Sequence, residues 1–212
     1  MAQFATTPGT ATALNSGQSL KNLIYMPVKR WLLFHFKLDS NYFKKQPDRI
    51  WLNTHLYPRL SKLKKGRILF VGCAYYTWES LRLFDKGVDL VTVDIDESNV
   101  IWGGKKHLVA SILDIDKYVE PNSFDIVLLN GIFGHGVDTP AMQIQTYKAL
   151  HRILKPNGLL QIGWNHDLIP DPLELDISKE LFYKTDFEGL PARTTFTNTT
   201  HVFDFLRAKQ EV

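Results

Sequence analysis

Cysteine is almost absent from the 212 residues, and the single Cys73 cannot close an internal disulfide, so nothing points to an oxidising compartment. Long apolar runs are missing as well. The most apolar stretch of the N-terminal third, Trp31-Leu32-Leu33-Phe34-His35-Phe36, falls far short of the ~20 residues a helix needs to cross a bilayer. No transmembrane segment is therefore expected. Residues 1–20 lack a charged start followed by an apolar stretch, so no signal peptide is expected and a cytoplasmic location is the default. Acidic residues are scarce at the front of the chain. Residues 1–65 carry 11 Lys and Arg against Asp39 and Asp48, a net +9, whereas the remainder carries 14 against 20, a net −6. A basic third can meet nucleic acid or a membrane surface, but without five like charges in a row it reads more simply as a solvated helical face. Close Cys pairs and His at i+4 are also lacking, so no metal site is expected.

What is present excludes a disordered chain: 44% of the residues are hydrophobic, including 13 Phe, 8 Tyr and 5 Trp. Residues 1–17 are small and polar and read as a flexible tail. Residues 18–65 read as a helical N-terminal extension or cap. Within it, Ser19 to Phe36 is apolar with interspersed Lys and Arg and is broken by Pro27, and Asn41 to Leu63 is expected to be helical after Pro47. The aromatics Trp31, Phe34, Phe36, Tyr42, Phe43 and Trp51 belong to this cap, either as packing or as a lid on a substrate pocket.

From residue 66 to 212 the pattern changes. Arg67 to Val71, Leu90 to Asp94, Phe124 to Leu129 and Leu159 to Trp164 are short apolar runs bounded by turn residues and read as buried strands, with His107 to Ile112 a weaker one. Helices are expected over Thr77 to Phe84, Thr139 to Leu154 and near Ile177 to Tyr183. In the second, Ile144, Tyr147, Leu150 and Leu154 lie on one stripe. Arg193 to Asn198 and His201 to Ala208 read as an antiparallel pair closing the sheet. Strand alternating with helix means a parallel sheet covered on both faces.

In such a sheet ligands bind beyond the carboxyl ends of the strands. The residues at those ends are Gly72-Cys73-Ala74, Asp94, Asp114 and Asn130-Gly131. A small-residue turn allows close backbone approach, and an acidic residue about twenty positions later can accept from ribose hydroxyls; Asp94 follows Gly72 by 22 residues. Together with Asp114, the pair points to an adenosine-containing ligand.

These segments resemble the class I S-adenosylmethionine-dependent methyltransferases, especially the small-molecule type. The resemblance rests on Ile68 to Ala74, Val91 to Asp94, Ser123 to Val127 and, most specifically, Leu150 to Leu160 with its Lys155-Pro156-Asn157-Gly158 turn; His201 to Phe205 is similar to the closing strand. It covers about residues 66–209. It implies an α/β fold with a Rossmann-like, mostly parallel seven-stranded sheet, helices on both faces and the helical N-terminal extension added. It also implies S-adenosyl-L-methionine as cofactor. Gly72, Cys73 and Ala74 would pass beside its methionine part, Asp94 would bind the ribose hydroxyls, and Ile95 would lie beside the adenine. Asp114 and Ile115 would lie near the adenine amino group, and Asn130 and Gly131 near the sulfonium. The glycine loop departs from the family pattern, with Phe70 at its usual acidic position and Ala74 and Tyr76 in place of glycines.

Methyl transfer needs the acceptor positioned and, for a hydroxyl or amine, a proton removed. His135, in the segment after the fourth strand, is the first candidate base, and His166 with Asp167 the second. Cys73 before a helix start has a rationale as a nucleophile, but the resemblance assigns it a packing role. The expected activity is methyl transfer to an oxygen or nitrogen of a small-molecule acceptor. Nucleic acid is not expected as partner, because Asn130-Gly131-Ile132-Phe133 lacks the Asn/Asp-Pro-Pro-aromatic pattern of the nucleic-acid branches. Two other readings stay open: a binding protein on a degenerate scaffold, and a non-methylating enzyme such as a cyclase.

Overall fold

The computed structural model describes residues 45–63, 66–84 and 87–210, together with Val28, Trp31 and Leu32. The expected tail and the greater part of the Ser19 to Phe36 helix, with Phe34, Phe36, Tyr42 and Phe43, lie outside the described residues. The first well-described element is a helical stretch over 47–61. Pro47 opens α1 (Pro47–Trp51), a π-helical turn follows (Leu52–Leu56), and α2 (Tyr57–Ser61) completes it. Pro58 has no N–H to donate and its ring crowds the carbonyl four residues earlier, so a widened turn just before it is a low-strain solution.

Eight strands form one sheet: β1 (Arg67–Val71), β2 (Asp89–Asp94), β3 (Lys106–Val109), β4 (Phe124–Asn130), β5 (Leu154–Asn165), β6 (Phe182–Lys184), β7 (Arg193–Thr195) and β8 (His201–Ala208). The order is β3-β2-β1-β4-β5-β8-β6, with β7 also paired to β8. The pairs among β1 to β5 are parallel, and β8 runs antiparallel to β5, β6 and β7. Seven strands are expected from sequence and eight are present. β6 and β7 share one edge of β8, β6 pairing with Leu206 to Ala208 and β7 with Val202 to Asp204, so the sheet is seven positions wide.

Both faces are covered. On one, α3 (Pro140–Ile153) and α4 (Asp176–Leu181) pack over Leu69, Val127, Leu129, Leu160 and Ile162. On the other, Leu52, Leu56, Tyr57 and Leu60 of the 47–61 stretch pack over Phe70, Leu128, Phe203 and Phe205. Among the described residues no helix is long and apolar enough to cross a membrane.

Several boundaries differ from the sequence reading, each for a local reason. After β1 the expected helix is only a 3₁₀ turn, Ser80–Leu83. The Thr77 hydroxyl bonds both the N–H and the carbonyl of Ala74, fixing a turn where a helix would have begun. β3 stops at Val109 because Ser111 caps the next 3₁₀ turn, Ile112–Lys117, accepting from Leu113 N at 3.3 Å. α3 has Thr139 as N-cap and Pro140 in its first turn, but its buried face is Gln143, Thr146, Tyr147, Leu150 and Ile153. Ile144 is only half-buried, and Leu154 already belongs to β5. The Lys155 to Gly158 turn is absorbed into β5 as a register shift opposite Phe124 to Ile126, with Asn157 left-handed at φ 60°. The helix expected near Ile177 to Tyr183 ends at Leu181, and its last two residues open β6.

Candidate active site

Strand order reverses between β1 and β4, and there the chain leaves a two-lobed cleft at the carboxyl edge of the sheet. Gly72, Asp94, Ile95, Ile132 and His135 line both lobes. Their open volumes, mouths included, are about 590 and 710 Å³.

The first lobe is apolar. Val71 and Val93 form its floor, Ile112, Leu113 and Met142 its walls, and Asp94 and Ser111 the polar groups. Ile95 stands at its rim with 73% of its surface exposed, an apolar face open to the lobe. Gly72 adopts φ +82°, which residues with a Cβ rarely take, and a Cβ here would stand 3.2 Å from Ile132 Cδ1. This glycine lets β1 turn sharply while leaving the lobe open.

Asp94 ends β2 with its carboxylate between the lobes. Oδ2 accepts from Cys73 N at 2.7 Å; Oδ1 accepts from Asp96 N at 2.8 Å and from Asn99 Nδ2 at 3.3 Å. The two backbone bonds use one lone pair of each oxygen and fix the group's orientation, so each oxygen keeps a second acceptor site for a vicinal diol, which Asn99 would share. Cys73 is buried beside this carboxylate. Burial and the Asp94 charge push its thiol up to about 12, so it stays protonated at neutral pH and is packing rather than a nucleophile.

The second lobe is polar. The turn Gly72-Cys73-Ala74 and the end of β4, Asn130-Gly131, face each other across it, with Tyr76 and Arg49 beside them. Asn130 is buried, and its Oδ1 accepts from Gln161 Nε2 at 2.9 Å while its Nδ2 has no partner among the described residues. A side chain on Gly163 would collide with it, at 2.3 Å from Asn130 Oδ1, so the bare strand at Gly163 makes the room for this amide. Behind it, His201 Nδ1 pairs with Asp48 Oδ2 at 2.7 Å, both nearly buried. Burial alone would raise the Asp48 carboxyl, but the hydrogen bond and charge of His201, with Arg49 adding to them, bring it below its ordinary value.

His135 projects at the tip of a loop, exposed, and reaches both lobes. Gly134 and Gly136 on either side have φ +87° and +109°, and a bridge between Phe133 and Val137 closes the loop beneath them. The other two candidate bases lie elsewhere. His166 and Asp167 are exposed on the turn after β5, and neither lines the cleft.

Of the nine positions singled out for a cofactor, the structure brings together Gly72, Cys73, Ala74, Asp94, Ile95, Asn130 and Gly131. Asp114 and Ile115 are outside the cleft lining. Asp114 pairs with Lys117 at 2.6 Å, and Ile115 is fully buried in the core. Because β3 ends early, the wall at that point is Ser111-Ile112-Leu113. Arg49 and Asn99 went unnoticed in the sequence. Asn99 sits five residues after Asp94, a spacing that a turn after the strand would have made legible; Arg49 is one of many cations in its third of the chain.

Comparison with known proteins agrees with this fold. Residues 69–162 match the family model described as a methyltransferase domain. No curated protein sequence matches the chain. Among solved structures, the N-methyltransferase NodS from Bradyrhizobium japonicum, in complex with S-adenosyl-L-homocysteine, is similar at 14% identity and TM-score 0.60, over 85% of this chain and 99% of that one. A TehB-like S-adenosylmethionine-dependent methyltransferase from Corynebacterium glutamicum is similar at 15% identity and TM-score 0.55, over 81% and 98%. A putative rRNA methylase from Clostridium thermocellum is similar at 15% identity and TM-score 0.53, over 74% and 93%.

Proposed function

We propose that this chain, which carries a class I S-adenosylmethionine-dependent methyltransferase domain, transfers the methyl group to an oxygen or nitrogen of a small-molecule acceptor. The observation that carries the reading is the cleft itself: an apolar lobe and a polar lobe that share Gly72, Asp94 and His135. An adenosine in the first lobe would have its base between Ile95, Ile112 and Met142 and its ribose diol on Asp94. The methionine part then runs past Gly72-Cys73-Ala74 toward Asn130. When bound, the cofactor supplies an activated methyl group on a positively charged sulfur.

The protein's own task is to align the acceptor and take its proton. His135 reaches both lobes, and its exposed imidazole can accept a proton from an acceptor placed there. The acceptor would enter the second lobe, at whose wall Asn130 keeps a buried Nδ2 with no partner among the described residues, a donor that a small turn of the side chain would bring to a hydroxyl or amine. His166 with Asp167 is a reserve base, to be considered if His135 proves silent.

Calorimetric titration with S-adenosyl-L-homocysteine tests the cofactor half. Methyl transfer from radiolabelled S-adenosylmethionine to a panel of small amines, phenols, hydroxy acids and a transfer RNA pool tests the acceptor half. Label on small amines or hydroxyls is expected. Label on the RNA alone would overturn the small-molecule reading.

A further inference from the structure

Among the described residues, the guanidinium that lines the second lobe has no carboxylate closer than 3.8 Å. Arg49 belongs to α1, in the N-terminal extension, yet it lines the lobe together with Ala74, Tyr76 and Asn130. Its side chain is 17% exposed, and its guanidinium carbon stands 5.0 Å over the Tyr76 ring. An aromatic face holds a cation in place and leaves its N–H edges available. The neighbouring carboxylate, Asp48, is committed elsewhere: His201 binds its Oδ2 at 2.7 Å, whereas Arg49 Nε is 3.8 Å from the same atom. Among the residues lining the lobe the only carboxylate is Asp94, whose oxygens are held by the N–H groups of Cys73 and Asp96. A half-buried fork of donors, fixed by a ring and facing a cleft, is built for a planar anion.

We infer that Arg49 binds the carboxylate at the amino-acid end of the cofactor, so that the N-terminal extension completes the cofactor site. The inference rests on the S-adenosylmethionine reading of the cleft. If Asp94 takes the ribose and the chain of the cofactor runs past Gly72-Cys73-Ala74, its amino acid ends in the lobe that Arg49 walls. Among the described residues, Asp48 beside Arg49 is held by His201 and the one carboxylate lining the lobe, Asp94, is the proposed ribose ligand, so neither is placed to take the ammonium group. Phe70, which lies on the same wall, is buried and apolar. Recognition of this end therefore falls to the carboxylate rather than to the amine.

The test compares two ligands that differ only beyond the sulfur. S-adenosyl-L-homocysteine carries the amino acid, and 5′-methylthioadenosine has a methyl group in its place. Both are titrated by calorimetry into the full chain, as wild type, Arg49→Gln and Arg49→Lys. Wild type should bind the homocysteine compound more tightly. Arg49→Gln should weaken that compound about 10- to 100-fold, the scale of a lost charged hydrogen bond, and leave methylthioadenosine within about twofold. Arg49→Lys should fall between, since it keeps the charge and loses the fork. Retained methylthioadenosine binding shows that the variant is folded. Equal loss for both ligands, or no loss for either, overturns the inference, as does a wild type that does not distinguish them. Wild type binding neither ligand would overturn the methyltransferase reading, and this inference with it.

Discussion

Asp94 holds the loops around the cleft as well as facing it. Its oxygens take the N–H groups of Cys73 and Asp96, so truncation to alanine would disturb the β1 turn along with any ligand contact. Asp94→Asn keeps the shape and removes the charge, but it sets an NH2 against the N–H of Cys73 or Asp96, so its unfolding midpoint is measured alongside its affinity. Its affinity for S-adenosyl-L-homocysteine should fall by about 1.5–3 kcal/mol for each charged hydrogen bond lost, measured by calorimetry. His135 is a different case, because among the described residues its side chain is exposed and makes no hydrogen bond. His135→Ala should lower turnover ~10²–10⁴-fold and leave cofactor affinity nearly unchanged, measured by steady-state kinetics and calorimetry. Wild-type turnover in that variant would transfer the role to His166 and Asp167. Residues at strand ends were legible in the sequence because a strand's polarity fixes which of its ends faces the ligand. Asp114 and Ile115 were misread because the end of β3 was placed three residues late, and the cap at Ser111 that stops it is a single hydroxyl.

At the scale of elements, buried polar pairs tie the added segments to the sheet. Asp48 of α1 pairs with His201 at the start of β8, 153 residues away. Removing one member of such a pair leaves an uncompensated polar group, so His201→Phe should destabilise the fold by about 3–5 kcal/mol in denaturant titration. The pH sign follows from the lowered Asp48 pKa. Its contribution is fully present above the ordinary value of 3.8 and is lost as pH falls through the depressed folded value, so the stability gap between wild type and Asp48→Asn should close under strong acid. Arg193 does the same work at the other end of the sheet. It clamps Asp171 at 2.7 and 3.1 Å and the fully buried Asp204 at 2.6 and 3.0 Å, while Trp164 Nε1 donates to Asp204 at 2.9 Å. Arg193→Met should cost about 3–5 kcal/mol by thermal or chemical unfolding, relieved when Asp204 is replaced by Asn as well. None of these partners could be paired from sequence, because each joins elements far apart in the chain. The strands themselves were legible: four apolar runs bounded by turn residues place β1, β2, β4 and β5. What failed were the short crossovers, where Thr77 and Ser111 hydroxyls decide the backbone locally.

For the whole molecule, the decisive feature is that one face of the sheet is covered from the N-terminal side. Leu52, Leu56, Tyr57 and Leu60 are at most 1% exposed. At roughly 1.5–3 kcal/mol for each buried side chain, their loss matches the entire stability of an ordinary domain. Deletion through residue 61 should therefore give insoluble protein, whereas deletion of residues 1–17 should leave solubility and cofactor affinity unchanged; both are read by soluble yield and calorimetry. The charge asymmetry of the sequence announced that the first third was distinct, but not that it would wall the cleft through Arg49. A last consequence concerns the two margins of the sheet. One is β3, four residues long with Lys106 exposed, and the other is divided between β6 and β7, three residues each, with a Glu188-Gly189 turn between them. A margin broken into such short pieces is a poor template for backbone pairing with a neighbouring chain. Extension of the sheet from molecule to molecule, the usual first step toward fibrils, is thereby discouraged by the same split that gives this sheet its eighth strand.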